Sequence, residues 1–275
     1  MKIKEVGIVF NPLVEAAKIK AGELKSYLDG VSVANWLRSS WELGGSPPEM
    51  GGTDLVLSVG GDGTILRVVQ TLANTGTPVL GINLGRLGFM TELTADEALA
   101  KLPEVLDGRG WLDERVMLEA QAAGDKKTYY ALNDIVAARG AVARMVNIEV
   151  GIDDEPFATY RADGVILATA TGSTGYALAA GGPVLNPQAT DLVLIPILPH
   201  LSLSYPLVLP GDAAVSLRVF APHTATLSID GNINLAVENG TKITARRSKV
   251  VARFWRVHPR ESFYRTLEQK LRGEK

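Results

Sequence analysis

The sequence contains no cysteine and only three histidines in 275 residues. The lack of cysteine excludes disulfides, thiolate metal sites and thiol nucleophiles, and it fits a reducing cytoplasm. His200, His223 and His258 lie far apart in the sequence, without the spacing of metal ligands and without a serine partner suited to nucleophilic catalysis. We therefore predict structural roles for all three histidines.

An excess of charge of either sign and long apolar runs are also missing. The formal net charge is −2, so any site for an anion has to be local rather than a property of the whole surface. No stretch reaches the roughly 18 apolar residues that a membrane-spanning helix needs, and the start of the chain lacks the apolar core of a signal peptide. We expect a cytoplasmic protein with neither nucleic acid nor membrane as a partner.

The pattern of apolar residues changes along the chain. Over about the first hundred residues, short apolar runs alternate with helical patterns, which predicts parallel strands joined by helices, because a strand buried on both faces reads as a continuous apolar run. From about Glu114 onward, strand-like segments separated by turn residues predict an antiparallel sandwich or a similar all-β unit. Helical spacing returns over 261–271.

These patterns predict two domains. The first is an α/β, Rossmann-like domain with a mainly parallel sheet over residues 1–98, completed by a C-terminal helix over 260–275. The second is a β-rich, sandwich-like domain over residues 99–259.

A glycine-rich stretch, GGDGT, follows the apolar run that ends at Val59. Its glycines can adopt positive φ and let a bulky group approach the backbone, and N–H groups near Thr64 can receive phosphate oxygens. The carboxylate of Asp62 would repel a phosphate, so a role toward a hydroxyl or a metal ion fits it better. The alternative is a tight strand-to-helix turn with an N-cap aspartate. The stretch is neither a Walker A loop nor a GxGxxG fingerprint.

A second glycine-rich stretch, INLGRLGFM, follows the next strand. The carboxyl ends of neighbouring parallel strands meet at one edge of a sheet, so this turn should lie beside the first one. Arg86 offers a cation for phosphate, and Phe89 offers an aromatic face for a base. The alternative is an ordinary glycine turn with a core phenylalanine.

Two further stretches carry polar groups in the β-rich part. Asn133 and Asp134 form an adjacent amide and carboxylate that can grip a ribose diol or a base edge, or alternatively mark a hairpin turn. Downstream, the segment around TGSTGY joins a predicted strand to a small-residue helix, so hydroxyls and N–H groups cluster at a helix start. This loop can hold ribose or phosphate with Tyr176 bordering a base, or it can be a normally capped helix.

Taken together and in this order, the motifs resemble the NAD kinase family, whose members phosphorylate NAD to NADP with ATP and in some cases with polyphosphate. The resemblance spans most of the chain and is carried by GGDGT at 60–64, GRLGF at 85–89, LND at 132–134, ADGVILATATGSTGYALAAGGP at 162–183 and PHLSLSYPLVL at 199–209. It implies an α/β domain plus a β-sandwich-like domain, in agreement with the apolar patterns.

The resemblance also implies roles for individual residues. Asp62 would be the base, or would orient the adenosine 2′-hydroxyl of NAD for attack on a γ-phosphate. Phosphate binding is implied for Gly60, Gly61, Gly63, Thr64 and Arg86. NAD binding is implied for Gly63, Phe89, Asn133, Asp134, Thr171, Thr174, Gly175 and Tyr176, with Arg161 and Asp163 facing the nicotinamide half, often across a subunit boundary. A homodimer or homotetramer is therefore implied.

Without a Walker lysine, Mg²⁺ or another divalent ion is expected to neutralise phosphate charge, held mainly by the nucleotide phosphates rather than by protein ligands. Three other functions stay open at this point. A lipid or sugar kinase can use a similar glycine loop, an NADP phosphatase could use the same pocket with water as the nucleophile, and a dinucleotide sensor would bind without turnover. ATP and polyphosphate both stay open as donors.

Overall fold

The structure is a computed structural model, and it describes residues 2–43, 51–85, 88–141, 144–200, 205–259, 263–264 and 267–268. The chain divides into two compact units. The first unit comprises Met1–Glu114 and Ala252–Lys275, and the second comprises Arg115–Val251. No helix in the described part of the chain is long and apolar enough to cross a membrane.

The first unit is an α/β domain built on a parallel sheet. Its strands pair in the order β2-β1-β3-β4, with β5 beside β4. Strands β3 and β4 are buried at every position, which explains their mostly apolar sequences, LVLSV and VLGIN. The elements in chain order are β1 (Glu5–Phe10), α1 (Glu15–Gly30), β2 (Ala34–Ser39), β3 (Leu55–Val59), α2 (Asp62–Leu72), β4 (Val79–Asn83), β5 (Leu93–Thr94) and α3 (Ala95–Leu106).

The boundaries of this unit differ from the predicted 98/99 and 259/260. Helix α3 begins in a capping box formed by Thr94 and Glu97 and buries an apolar face in the first-unit core. Trp255 belongs to the same core, and Phe254 pairs in parallel with Val79. The C-terminal helix predicted over 260–275 lies mostly outside the described residues, of which 263–264 and 267–268 are helical.

The second unit contains two antiparallel sheets. One has the order β10-β9-β14-β17, with β6 beside β17 and β7 beside β6, and the other has the order β13-β12-β11-β8-β15-β16. The elements are β6 (Trp111–Ala122), β7 (Tyr129–Ala131), β8 (Asp134–Arg139), β9 (Val146–Ile152), β10 (Glu155–Ala162), β11 (Gly164–Ala168), α4 (Tyr176–Ala179), β12 (Leu192–Ile197), β13 (Leu207–Leu209), β14 (Ala214–Phe220), β15 (Ala225–Ile229), β16 (Ile233–Val237) and β17 (Lys242–Arg256).

One core lies between these sheets. Ile148 and Leu217 enter it from the first sheet, and Ile135 and Leu227 enter it from the second. In β9 and β14, buried residues alternate with more exposed ones, as expected for strands with one face on a core. The predicted α/β and sandwich-like architectures are thus confirmed.

The second sheet also buries its other face. Val136, Ile166 and Val193 pack there with Ala177 of α4, so the chain after β11 folds back over its own sheet. This explains why β8, β11 and β12 are largely apolar on both faces. It also fixes the loop that leads from β11 into α4.

Candidate active site

The GGDGT turn lies between the carboxyl end of β3 and the start of α2. Gly60 has a φ of +156°, and a Cβ there would overlap the Thr64 hydroxyl, so this position requires glycine. Gly61 is the N-cap, with φ of −92°, and positive φ is also absent at Gly63. Of these three glycines, all of which can adopt positive φ, Gly60 is the one that does so.

Glycine at position 61 suits the N-cap of α2, where it is preferred over alanine, but the fold gives no such reason for Gly63 inside the helix. A Cβ added to either residue would meet no described atom within 4 Å. Inside a helix, glycine costs about 1 kcal/mol of stability relative to alanine, and Gly63 is the second residue of α2. The first N–H groups of a helix generally lack partners within it, although in α2 the N–H of Thr64 donates to Gly61 O at 3.0 Å. The two glycines thus leave open space beside N–H groups that can bind an anion.

Asp62 is the first residue of α2, and its carboxylate does not cap that helix. Its Oδ2 accepts a hydrogen bond from Phe89 N at 2.8 Å, and its Oδ1 accepts one from Met90 N at 3.1 Å. Gly88 lies against the same carboxylate, since a Cβ there would overlap Oδ1 and lie 2.6 Å from Cγ. The N-cap alternative is therefore wrong, and the two glycine-rich stretches of the first unit are brought together. Arg86 lies outside the described residues.

In the second unit, the LND stretch forms the turn between β7 and β8. The carboxylate of Asp230 accepts hydrogen bonds from the backbone N–H groups of all three residues, at 2.8 Å from Leu132, 2.7 Å from Asn133 and 3.0 Å from Asp134. Asp230 is itself buried and lies in the hairpin turn between β15 and β16 with a φ of +49°. Sequence reasoning missed this residue, although its Asp-Gly pair is typical of such a turn.

Asp134 and Asp230 form a buried pair of carboxyl groups. Burial, with a smaller contribution from the charge of Asp230, raises the pKa of Asp134 from its ordinary value of 3.8 to about 7. Near neutral pH, a substantial fraction of Asp134 is therefore protonated and can donate a hydrogen bond.

The predicted TGSTGY loop packs directly against the LND turn. Thr169 donates from N to Asn133 O at 2.9 Å and from Oγ1 to Leu132 O at 2.6 Å. A Cβ on Gly172 would overlap Asn133 O, so only glycine allows this approach. The helix expected after the loop is a short 3₁₀ turn, Gly172–Thr174, followed by the single turn of α4. The third and fourth motifs are thus brought together.

Two side-chain oxygens at this contact have no protein partner. Within the described part of the chain, Asn133 Oδ1 and Thr171 Oγ1 are buried without a hydrogen bond. Thr171 stands at the N-cap position of the 3₁₀ turn and makes no side-chain cap bond, and Gly175, at the N-cap position of α4, has no side chain that could make one. Thr174 Oγ1 donates to Thr171 O at 3.3 Å, and Tyr176 is about half exposed. The capped-helix alternative therefore does not account for the Thr171 hydroxyl.

Arg161 and Asp163 lie at the end of β10 and just after it. The Arg161 side chain is exposed, and Asp163 Oδ1 is 3.1 Å from Nε of Arg139, a residue that sequence reasoning did not select.

Of the histidines, His258 lies near Glu92 and Glu97. Among the residues that the structure describes, no group of three or more His, Cys, Asp or Glu side chains could hold a metal ion.

Comparison with known protein families gives two matches that together cover most of the chain. Residues 14–110 match the ATP-NAD kinase N-terminal domain, and residues 132–257 match the ATP-NAD kinase C-terminal domain. An NAD kinase of Dehalococcoides mccartyi is 46% identical over 274 residues, covering 98% of this chain and 96% of that protein. An NAD kinase of Chloroflexus aurantiacus is 40% identical over 273 residues, covering 98% of this chain and 99% of that protein.

Solved structures give the same result. Yeast NADH kinase complexed with NADH has a TM-score of 0.85 at 25% identity, covering 100% of this chain and 89% of that chain. An NAD kinase from Archaeoglobus fulgidus in complex with ATP has a TM-score of 0.79 at 27% identity, covering 98% of this chain and 100% of that chain.

Proposed function

This chain belongs to the NAD kinase family, and we propose that it transfers the γ-phosphate of ATP to the adenosine 2′-hydroxyl of NAD, producing NADP. The family resemblance drawn from the motifs is confirmed. The observation that best supports the proposed reaction is the Asp62 carboxylate, which is fixed by two backbone N–H groups at the start of a helix with open space beside its glycines.

In this proposal Asp62 orients the ribose hydroxyl and takes its proton as the phosphoryl group arrives. Phosphoryl transfer depends on in-line positioning and charge neutralisation more than on covalent chemistry. Both oxygens of Asp62 accept backbone hydrogen bonds, which limits rotation of the side chain. Each oxygen keeps a further lone pair for a substrate hydroxyl.

Phosphate binding is assigned to the turn around Asp62, namely to Gly60, Gly61, Gly63, Thr64 and Arg86. This assignment is supported by the open space at Gly61 and Gly63 and by the N–H groups at the start of α2. Mg²⁺ or another divalent ion, held mainly by the phosphates, would neutralise charge on the transferring group. An oxygen ligand suits such an ion, and the carboxylate of Asp62 in this turn can supply one.

NAD binding is assigned chiefly to the turn and loop of the second unit. The unpartnered oxygens of Asn133 and Thr171 can accept hydrogen bonds from ribose hydroxyls or from the adenine amino group. The protonated fraction of Asp134 can donate one. The full set for the adenosine half is Gly63, Phe89, Asn133, Asp134, Thr171, Thr174, Gly175 and Tyr176, and Arg161 with Asp163 is assigned to the nicotinamide half.

The proposal extends to donor, assembly and location. Polyphosphate is a second candidate donor, since the phosphate-binding turn would contact phosphates rather than a base. We place the enzyme in the cytoplasm as a homodimer or homotetramer, in line with the resemblance at Arg161 and Asp163.

The test is to incubate the purified protein with NAD, Mg²⁺ and either ATP or polyphosphate, and to measure NADP. We expect NADP with ATP, and the polyphosphate arm identifies the donor range. Binding of NAD without turnover under either donor would indicate a sensor. Phosphate release from NADP without ATP would indicate a phosphatase, and phosphorylation of a lipid or sugar but not of NAD would indicate a different kinase.

Gly88→Ala is expected to lower kcat for NADP formation by about 100-fold, the usual cost of misplacing a reacting group by about 1 Å. The new methyl group would overlap Asp62 Oδ1, so the carboxylate or its loop has to move. The matched control is Gly85→Ala in the same loop, where a Cβ meets no described atom within 4 Å. Steady-state kinetics of both variants checks this, and equal rates for the two would contradict it.

Asp134→Asn tests how burial of this carboxyl affects stability. The pKa of Asp134 is about 7 in the folded state against 3.8 ordinarily, so between these values the folded state holds a proton that the unfolded chain has released. Because of Asp134, the free energy of unfolding falls as the pH rises from about 4 to about 7. Asparagine does not titrate, so the Asp134→Asn variant lacks this part of the pH dependence.

We therefore expect the Tm of Asp134→Asn, relative to wild type, to rise by several degrees between about pH 5 and about pH 8. Thermal unfolding at each pH measures the difference. The control is Asp212→Asn, which removes an exposed carboxylate of the same unit. A difference that stays constant with pH for Asp134→Asn would show that this carboxyl is already ionised in the folded protein.

A further inference from the structure

The backbone segment that holds Asp62 is itself held by a buried arginine. The N–H of Met90 donates to Asp62 Oδ1 at 3.1 Å, and the carbonyl oxygen of the same residue accepts from Arg256 Nη1 at 3.0 Å. A single residue of the loop is thus bound on one side by the carboxylate and on the other by the guanidinium. All three residues lie in the first unit.

Arg256 is fixed in turn by two buried carboxylates. Its Nε is 3.1 Å from Asp113 Oδ2 and its Nη1 is 3.2 Å from Glu92 Oε2, and all three side chains are less than 10% exposed. The other oxygen of Glu92 accepts the backbone N–H groups of Val257 and His258, both at 2.8 Å. Glu92 N also donates to Gly81 O in β4 at 2.8 Å. The loop between β4 and β5 is therefore tied at Met90 and at Glu92.

A buried ion cluster of this kind is an inefficient way to increase the free energy of unfolding. Removing charges from water is costly, and apolar side chains of similar volume often serve a core as well or better. A guanidinium, in contrast, presents several donors in one rigid plane, so it can hold a carbonyl and two carboxylates in fixed directions. The cluster therefore specifies the position of the Met90 carbonyl group, and with it the course of the backbone at Met90.

We propose that Arg256 is a positioning residue for phosphoryl transfer, acting through the backbone of Met90 on the orientation of the Asp62 carboxylate. This inference rests on the proposed function, because it assigns Arg256 to the same reaction. Arg256 acts indirectly, because it contacts Met90, and Met90 in turn contacts Asp62. Its effect should therefore appear in kcat rather than in KM.

The test compares Arg256→Met with Arg253→Met. Arg253 is a matched control on the same strand, because it also contacts a carboxylate and a backbone carbonyl. Its Nε is 3.0 Å from Glu114 Oε1, and its Nη1 is 3.3 Å from Gly76 O. We expect kcat of Arg256→Met to fall by about 10- to 100-fold with KM for NAD and ATP within about twofold, and both constants of the control to stay near wild type. Arg256→Lys, which keeps the charge but not the fork of donors, should recover part of the loss.

A double-mutant cycle with Asp62→Asn separates positioning from general damage. If Arg256 acts through Asp62, its replacement has little further effect on the residual rate of Asp62→Asn, which is measured with radiolabelled ATP. The same fold loss in both backgrounds would overturn the proposal, as would unchanged kcat in Arg256→Met. If Arg256→Met does not fold, the double-mutant cycle is measured with Arg256→Lys instead. If both Arg256 variants unfold while Arg253→Met stays folded, the role of Arg256 is purely structural.

The wild-type assay distinguishes failure of the positioning role from failure of the proposed function. If wild type makes no NADP, the proposed function fails and this inference fails with it. If wild type is active and Arg256→Met matches it, only the positioning role is wrong.

Discussion

Replacing Asp62 with asparagine is expected to lower kcat for NADP formation by about 100- to 10,000-fold, the usual contribution of a positioned base, while NAD still binds. A ribose hydroxyl is a weak nucleophile, and the carboxylate is the group in the GGDGT turn that can accept its proton. The amide also replaces one acceptor oxygen by a donor, which then faces the N–H of Phe89 or Met90. Loss of charge and loss of orientation therefore act in the same direction.

Steady-state kinetics and an independent measurement of the Kd for NAD check this prediction together. Asp96→Asn is a suitable control, because Asp96 is also an acidic residue in the first turn of a helix, α3, but is exposed and outside the glycine-rich turn. Near-normal turnover in Asp62→Asn would remove Asp62 from the mechanism. A loss confined to NAD binding would turn it into a binding residue.

Asp230→Ala is expected to destabilise the protein by about 3 kcal/mol and to raise KM for NAD. The substitution leaves three backbone N–H groups of the LND turn without their acceptor, and each buried unsatisfied group costs about 1–3 kcal/mol. Removing the charge also relieves Asp134, which offsets a part of this cost. Because Asn133 lies in the same turn, the loss of order should reach the oxygen that we assign to NAD binding.

Asp153→Ala provides a closely matched control for that prediction. Asp153 also lies in a hairpin turn with positive φ, at +51°, and its carboxylate accepts one backbone N–H, that of Ala214, at 2.8 Å. It is exposed, so water can replace the lost bond. Denaturant unfolding and KM for NAD should separate the two variants clearly. Equal losses in stability would mean that the three bonds of Asp230 contribute no more than one exposed bond.

The local parts of the site could be predicted from the sequence because they follow strands. The carboxyl ends of β3 and β4 meet at one edge of a parallel sheet, so the GGDGT and GRLGF stretches were expected side by side. Their contact, however, runs through the backbone N–H groups of Phe89 and Met90 rather than through a side chain. The sequence predicts N–H groups that bind anions at helix starts, but it has no signal for loop N–H groups that fix the carboxylate of a different turn.

The residues that hold these turns in place could not be predicted. Asp230 is 98 positions from Leu132, and Arg256 is 166 positions from Met90. Each carries an ordinary local pattern, an Asp-Gly hairpin turn in one case and a strand arginine in the other. Their partners depend on the pairing of distant strands, which one sequence does not reveal. The domain boundaries in the structure differ from the predicted ones for the same reason, because tertiary packing decides the burial of α3 and of the end of β17.

Phosphorylation of the 2′-hydroxyl of NAD by this chain is best tested by following the fate of labelled phosphate. Purified protein is incubated with NAD, Mg²⁺ and ATP labelled at the γ-phosphate, and the product is tested with a dehydrogenase that requires NADP. We predict one labelled NADP, active with that dehydrogenase, for each ADP formed. Release of the label as inorganic phosphate, with NAD unchanged, would contradict the account.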